Sequence, residues 1–336
     1  MKRLALSLPL LAASLPALCQ SSLTIFGNVD LNITHAKAGD ASSTFMDQGG
    51  NKVPSRLGFR GAEDLGGGLA ASFWLESALL PNNGAISGAL FSRRSTVSLS
   101  GANWGELRLG RDYVPALWNL SAFTPFGTVG VAGSSNIIFG WPLGYANATT
   151  AIRASNSIGY HLPATASGIY GQAMYAFAEG VDGARHTGAR IGWTSGPIDV
   201  AVAFGSTPAK GANYKTWTVG GTYVFQSAKL FANYYKEARL GDSQANTTLG
   251  LSIAAGPGQV LESIARSDRK GAGVSNDDAT QAGIGYVYAL SKRSDLYGTY
   301  SIIRNKGNAA YVTGGMPAGV AGRSSSGSQL GMTHRF

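Results

Sequence analysis

The chain is 336 residues long, carries a formal net charge of +9 and has a mean hydropathy of +0.02. Only 13% of its residues are charged, where a soluble protein of this size carries about a quarter. No uninterrupted apolar run near 18 residues follows the first twenty positions, which excludes helical membrane spans. Low charge without high hydropathy is what strands give when one face meets lipid and the other meets water.

The first residues read as an export signal. Met1, Lys2 and Arg3 form a basic start, and Leu4 to Leu18 form an apolar stretch broken only by Ser and Pro. Ala17-Leu18-Cys19 offers small residues at the −3 and −1 positions, so cleavage is expected before Gln20. The stretch is short of the ~20 residues a membrane helix needs, and Leu18 is a poor neighbour for a lipid-modified Cys19. Residues 1–19 are therefore expected to be a signal peptide and 20–336 the mature protein. Cys19 is the chain's single cysteine, so 20–336 can form no disulfide and offers no thiolate. The basic balance of an exported chain suits lipid headgroups or a basic pore wall; no nucleic-acid partner is expected.

From Ser22 onward the pattern has a period of two. Leu23, Ile25, Val29, Leu31 and Ile33 share one parity; Thr24, Asn28, Asp30, Asn32 and Thr34 share the other. Side chains alternate faces along a strand, so this is one apolar and one polar face. The same split sets Leu57 and Phe59 against Arg56 and Arg60, and Leu69, Phe73 and Leu75 against Ser72 and Glu76. It continues with Val97 and Leu99 against Arg94, Thr96 and Ser98, and with Ile158, Tyr160 and Leu162 against Arg153, Ser155 and Ser157. Further stretches of this kind run to the C-terminus and bring the count to about 16, with 14 or 18 also open.

Short links such as 63–67, 101–105 and 289–293 alternate with longer segments, 35–54, 113–152 and 305–324. Short turns on one rim and long loops on the other are the outer-membrane pattern. No composition break divides the chain. The ending, Leu330, Met332, His334 and Phe336 on one parity, suits a lipid-facing last strand. The expected fold is all-β, a transmembrane antiparallel β-barrel in a bacterial outer membrane.

Ser21-Ser22-Leu23-Thr24-Ile25-Phe26-Gly27-Asn28-Val29-Asp30 and Ser55-Arg56-Leu57-Gly58-Phe59-Arg60-Gly61, running into Glu63-Asp64-Leu65-Gly66-Gly67-Gly68-Leu69, resemble the general porins of Gram-negative bacteria, in particular their betaproteobacterial branch. Phe91-Ser92-Arg93-Arg94, Leu109-Gly110-Arg111-Asp112, the run from Ala289 to Tyr297 and the ending His334-Arg335-Phe336 extend the likeness over essentially the whole mature chain. The resemblance implies 16 strands, a homotrimer, and a third external loop folded inward to narrow the pore.

A diffusion pore needs a constriction of defined radius and charge, not a catalytic group. Residues 113–152 sit where the family's constriction loop sits, and Thr124-Pro125-Phe126-Gly127 resembles its motif. The loop is rich in Gly, Pro and aromatics, among them Trp118, Phe123, Phe126, Phe139 and Trp141. The family commonly has an acid before that Pro; this chain has Thr124. From Tyr113 to Ile152 there is no Asp, Glu, Lys, Arg or His. Arg56, Arg60, Arg94, Arg108 and Arg153 fall on the polar parity and are expected to line the pore, with Asp30, Glu76 and Thr124 beside them. Such arginines either raise the local anion concentration or pair with Asp30, Glu76 and Glu106 and merely hold the wall. Arg93 falls on the lipid parity, which places it at a rim.

These features predict a general diffusion pore for small hydrophilic solutes, with a preference for anions, in contact with outer-membrane lipids including lipopolysaccharide. The alternative is a substrate-specific channel for a sugar or organic anion, lined by the loop aromatics. His35, His161, His186 and His334 show no triad or metal-ligand spacing, so neither an enzyme nor a metal or other cofactor is expected.

Overall fold

A computed structural model of the chain describes residues 22–138, 150–165, 167–272, 276–314 and 318–336. The expected signal peptide, 1–19, lies outside the described residues, as do Phe139 and Trp141.

β1 (Ser22–Ala38) turns directly into β2 (Ala41–Asp47), and β3 (Arg56–Gly66) and β4 (Leu69–Leu80) follow. The two-residue β5 (Ala85–Ile86), β6 (Arg94–Gly101) and β7 (Gly105–Tyr113) lead to a helix, α1 (Pro115–Ala122), and a 3-10 turn at Ser134–Ile137. The chain returns as β8 (Arg153–His161), β9 (Ile169–Ala176), β10 (His186–Ser195), β11 (Ile198–Ala209) and β12 (Ala212–Phe225). β13 (Ala228–Arg239), β14 (Asp242–Ala255) and β15 (Gly258–Lys270) are joined by two-residue turns. β16 (Ala279–Ala289), β17 (Ser294–Asn305) and β18 (Ser325–Arg335) complete the wall.

Neighbouring strands pair antiparallel, and β18 pairs with β1 from Asn28↔Arg335 to Ala38↔Ser325, which closes the sheet. β2 pairs with the upper half of β1 and β3 with the lower half, so the two are pieces of one crossing. β5 pairs only with the end of β4. The result is a closed antiparallel barrel of 16 strands. Closure leaves no strand edge unpaired, which lipid requires.

The alternation holds. Leu23, Ile33, Val97, Phe204, Leu249 and Leu330 point outward and are exposed, while Asn28, Asp30, Asn32, Thr34, Thr218 and Asn246 point inward and are buried. Ser22, Phe336 and the short turns 67–68, 196–197, 226–227 and 256–257 share one rim, which in outer-membrane barrels faces the periplasm. At this rim Tyr160 Oη donates to the Trp104 carbonyl, and the Trp193 indole N–H donates to the Ser167 carbonyl. His334 lies on the outer face, as expected, with its ring against Ser294.

The long segment expected over 35–54 is corrected by the structure. Most of it continues the β1–β2 hairpin, and only 48–55 leaves the wall. The opposite rim also carries two-residue turns at 39–40, 210–211 and 240–241.

Candidate functional site

The loop after β7 turns into the barrel because the inner wall is built to seat it. Pro115 opens α1, where its missing N–H costs nothing. Leu117, Leu120 and Val114 pack against Met174, Ala203 and Tyr235 of the wall. Asn119 donates to the Ala201 carbonyl at 3.0 Å and accepts from Arg190 Nε at 2.5 Å. Beyond the helix, Phe126 and Ala132 pack against Leu261, Val287 and Tyr297. Gln244 and Gln281 donate to the Ile137 and Gly133 carbonyls. Wall glycines make room: a Cβ on Gly220 would come within 2.7 Å of the Phe123 ring, and one on Gly250 within 2.5 Å of Pro125.

A second inward segment faces this loop. The Asp30 carboxylate accepts from the backbone N–H groups of Gly49, Gly50 and Asn51 at 3.2, 3.0 and 3.1 Å. It also accepts from Tyr297 Oη at 2.6 Å and Thr333 Oγ1 at 2.5 Å. Residues 48–55 therefore leave the wall and run to Lys52, whose backbone bridges in parallel to Gly127 of the loop.

Between the two segments lies an opening with a cavity volume of about 600 Å³, bordered by Lys52, Arg56, Arg93, Tyr113, Trp118 and Arg153. Arg56 Nη1 and Arg93 Nε share Glu76 Oε1 at 2.9 and 2.6 Å. Arg93 and Arg153 both donate to Tyr113 Oη, at 2.7 and 3.1 Å. Among the described residues no carboxylate pairs with Arg153; its guanidinium lies 4.5 Å from the Tyr113 ring centre instead. Four cations face one glutamate, 4 − 1 = +3, and that glutamate is buried behind the arginines. Loop residues 114–138 answer with no charged side chain. Field in such an opening is strong, because its low-dielectric walls screen little.

The other expected residues divide. Arg60 and Arg94 flank the Trp74 ring, at 5.4 and 4.5 Å, and border a separate, smaller recess of 320 Å³. Arg108 is held between Glu106 and Asp112, at 2.8 and 2.6 Å, and so takes the wall-holding role.

Three placements are corrected. Asp30 faces inward but is fully buried, with its carboxylate spent on the 49–51 backbone rather than on an arginine or the open pore. Thr124 is buried too; its hydroxyl lies 2.9 Å from the Leu120 carbonyl and 3.2 Å from that of Gly127, holding the turn after α1. Arg93 is not a rim residue. It precedes β6 at a bend, where strand alternation no longer dictates side-chain direction, and its backbone N–H donates to the Glu76 carbonyl. Lys52 is invisible to parity because it lies off the wall; Arg190 is on the inward parity of β10, but its partner Asn119 is 71 residues away in the chain.

Residues 5–308 match the Gram-negative porin family. The chain belongs to that family. It is 36% identical to outer membrane porin protein 32 of Delftia acidovorans, covering 100% of both chains. It is 28% identical to an outer membrane porin protein of Bordetella pertussis, covering 91% of this chain and 95% of that one. Among solved structures, the anion-selective porin from Comamonas acidovorans superposes with a TM-score of 0.83 at 34% identity, covering 94% of this chain and all of the other. OmpT of Vibrio cholerae shares the fold at a TM-score of 0.70 and 15% identity, over 94% of this chain and 98% of that one. This porin is an outer-membrane channel, and the space between residues 48–55 and the inward loop lies inside its barrel.

Proposed function

We propose that this porin is a general diffusion pore whose narrow opening selects anions. The observation that carries the reading is the cluster of Arg56, Arg93 and Arg153, with Glu76 as its one acid, facing a loop without charge. Arginine keeps its proton in such a site, so the preference persists across ordinary pH. An entering anion meets net positive charge; a cation meets repulsion and no carboxylate that is not already shared. The solved anion-selective relative supports the same sign. Reversal potentials across a KCl gradient test this: an anion-favouring sign is expected, and a cation-favouring sign would overturn it.

The chain is exported by residues 1–19, which are then removed, and 20–336 form the barrel, with 113–152 as the constriction loop. It assembles as a homotrimer, as the family resemblance implies. On the outer face near the long-loop rim, Lys236, Arg266 and Arg304 point toward the membrane surface, where the phosphates of lipopolysaccharide would meet them. The pore works without catalytic groups and without a cofactor.

A substrate-specific channel is the second reading, favoured by the Tyr113 and Trp118 rings, which meet edge to face at 5.5 Å beside the opening. Liposome swelling with a graded series of neutral sugars separates the two. Rates that fall smoothly with solute size support the general pore, and saturation by one sugar supports the specific one.

A further inference from the structure

Cations gather a second time in the lumen, at the short-turn rim. Lys52 borders the narrow opening on one side and, on the other, a separate space of 620 Å³. That space is also lined by Lys229, the second residue of β13, by Arg335 at the end of β18, and by Asp295 at the start of β17. Each of these wall residues lies on the inward parity: Lys229 pairs with Ser252, Arg335 with Asn28, and Asp295 with Thr333.

The acid in this group is already used. Asp295 Oδ2 accepts from Arg335 Nη2 at 2.5 Å and from Asn51 Nδ2 at 3.2 Å. Among the described residues neither Lys52 nor Lys229 has a carboxylate at ion-pair distance. The Lys229 ammonium rests 5.2 Å from the Phe231 ring centre. Burial, then the charges of Lys229 and Arg335, push the Lys52 ammonium below its ordinary value, and Asp295 offsets them in part. Lys52 is also held in place: its segment is tied to Asp30 on one side and to Gly127 on the other.

We infer that this space is a second anion site, at the periplasmic mouth, which takes a divalent oxyanion between Lys52 and Lys229. Two unpaired ammonium groups facing one water-filled space leave a charge that a halide neutralises only in part. A doubly charged oxyanion neutralises both, and its several oxygens accept from both ammoniums and from the amides of Asn51 and Gln259, which line the same space. Lys52 then serves two stations, so an anion leaving one is drawn to the next. A pore that must both admit and release its solute works with such weak sites in series.

The inference rests on the anion-selective reading of the pore and is tested separately from it. Single channels in planar bilayers with a KCl background are titrated with hydrogen phosphate at pH 8, from each side in turn. Phosphate is expected to reduce the current at several-fold lower concentration from the short-turn side. Lys229→Gln is expected to remove that advantage, while its reversal potential in KCl stays anion-favouring. Lys215→Gln, on the outer face of β12, is expected to behave as wild type. Equal block from both sides, or a sidedness that survives Lys229→Gln, overturns the periplasmic site and leaves the general anion preference standing. A cation-favouring potential in the wild type overturns both.

Discussion

Arg93 and Arg56 reach the same oxygen of Glu76, Arg93 at 2.6 Å and Arg56 at 2.9 Å, so one buried carboxylate tethers two guanidiniums at the edge of the passage. The pair is held at the price of half its charge: two positive groups stay close, with one charge uncompensated.

Replacing Glu76 by Gln removes that compensation and keeps the shape. The anion preference in a KCl gradient is expected to rise. Heat stability is expected to fall by about 2 kcal/mol, the scale of a charged hydrogen bond lost while its partners stay buried. Reversal potential and thermal unfolding of the detergent-solubilised protein measure the two effects.

Among the described residues Arg153 has no acidic partner, so Arg153→Gln is expected to weaken anion preference at little cost in stability. The formal charge of the opening falls from +3 to +2. A reversal potential equal to wild type would show that Arg153 does not act on passing ions.

Asp30 is the anchor of residues 48–55, and Asp30→Ala leaves three backbone N–H groups and two hydroxyls without their acceptor. Stability is expected to drop by about 3 kcal/mol or more. Open-channel noise is expected to rise as the segment carrying Lys52 loosens. Single-channel records quieter than or equal to wild type would argue against the anchor.

Gly250 meets Pro125 so closely that any side chain displaces the loop. Gly250→Val is expected to cost roughly 1–3 kcal/mol by overpacking and to change single-channel conductance. Gly211→Val, at a turn position where a Cβ meets nothing within 4 Å, leaves the loop seat intact and is expected to keep wild-type conductance; any loss there reflects its left-handed backbone and not the passage.

Period-two alternation in the sequence was enough to place nearly every strand and its two faces. Membrane strands need one continuous apolar face, and nothing tertiary competes with that demand. Arg56 and Arg153 open β3 and β8 on the polar parity, and both border the opening. The absence of charge from the inward loop was a property of composition and needed no coordinates. What alternation could not reach lies where the backbone leaves the strand. Arg93 sits at a bend before β6, Lys52 on a segment pulled off the wall, and Asp30 spends its charge on that segment instead of on the pore. Their positions follow from partners 17 to 303 residues distant in the chain, such as Arg93 with Glu76, Lys52 with Gly127 and Asp30 with Thr333. Only the closed barrel brings such partners together, because closure turns distance along the chain into proximity across the lumen.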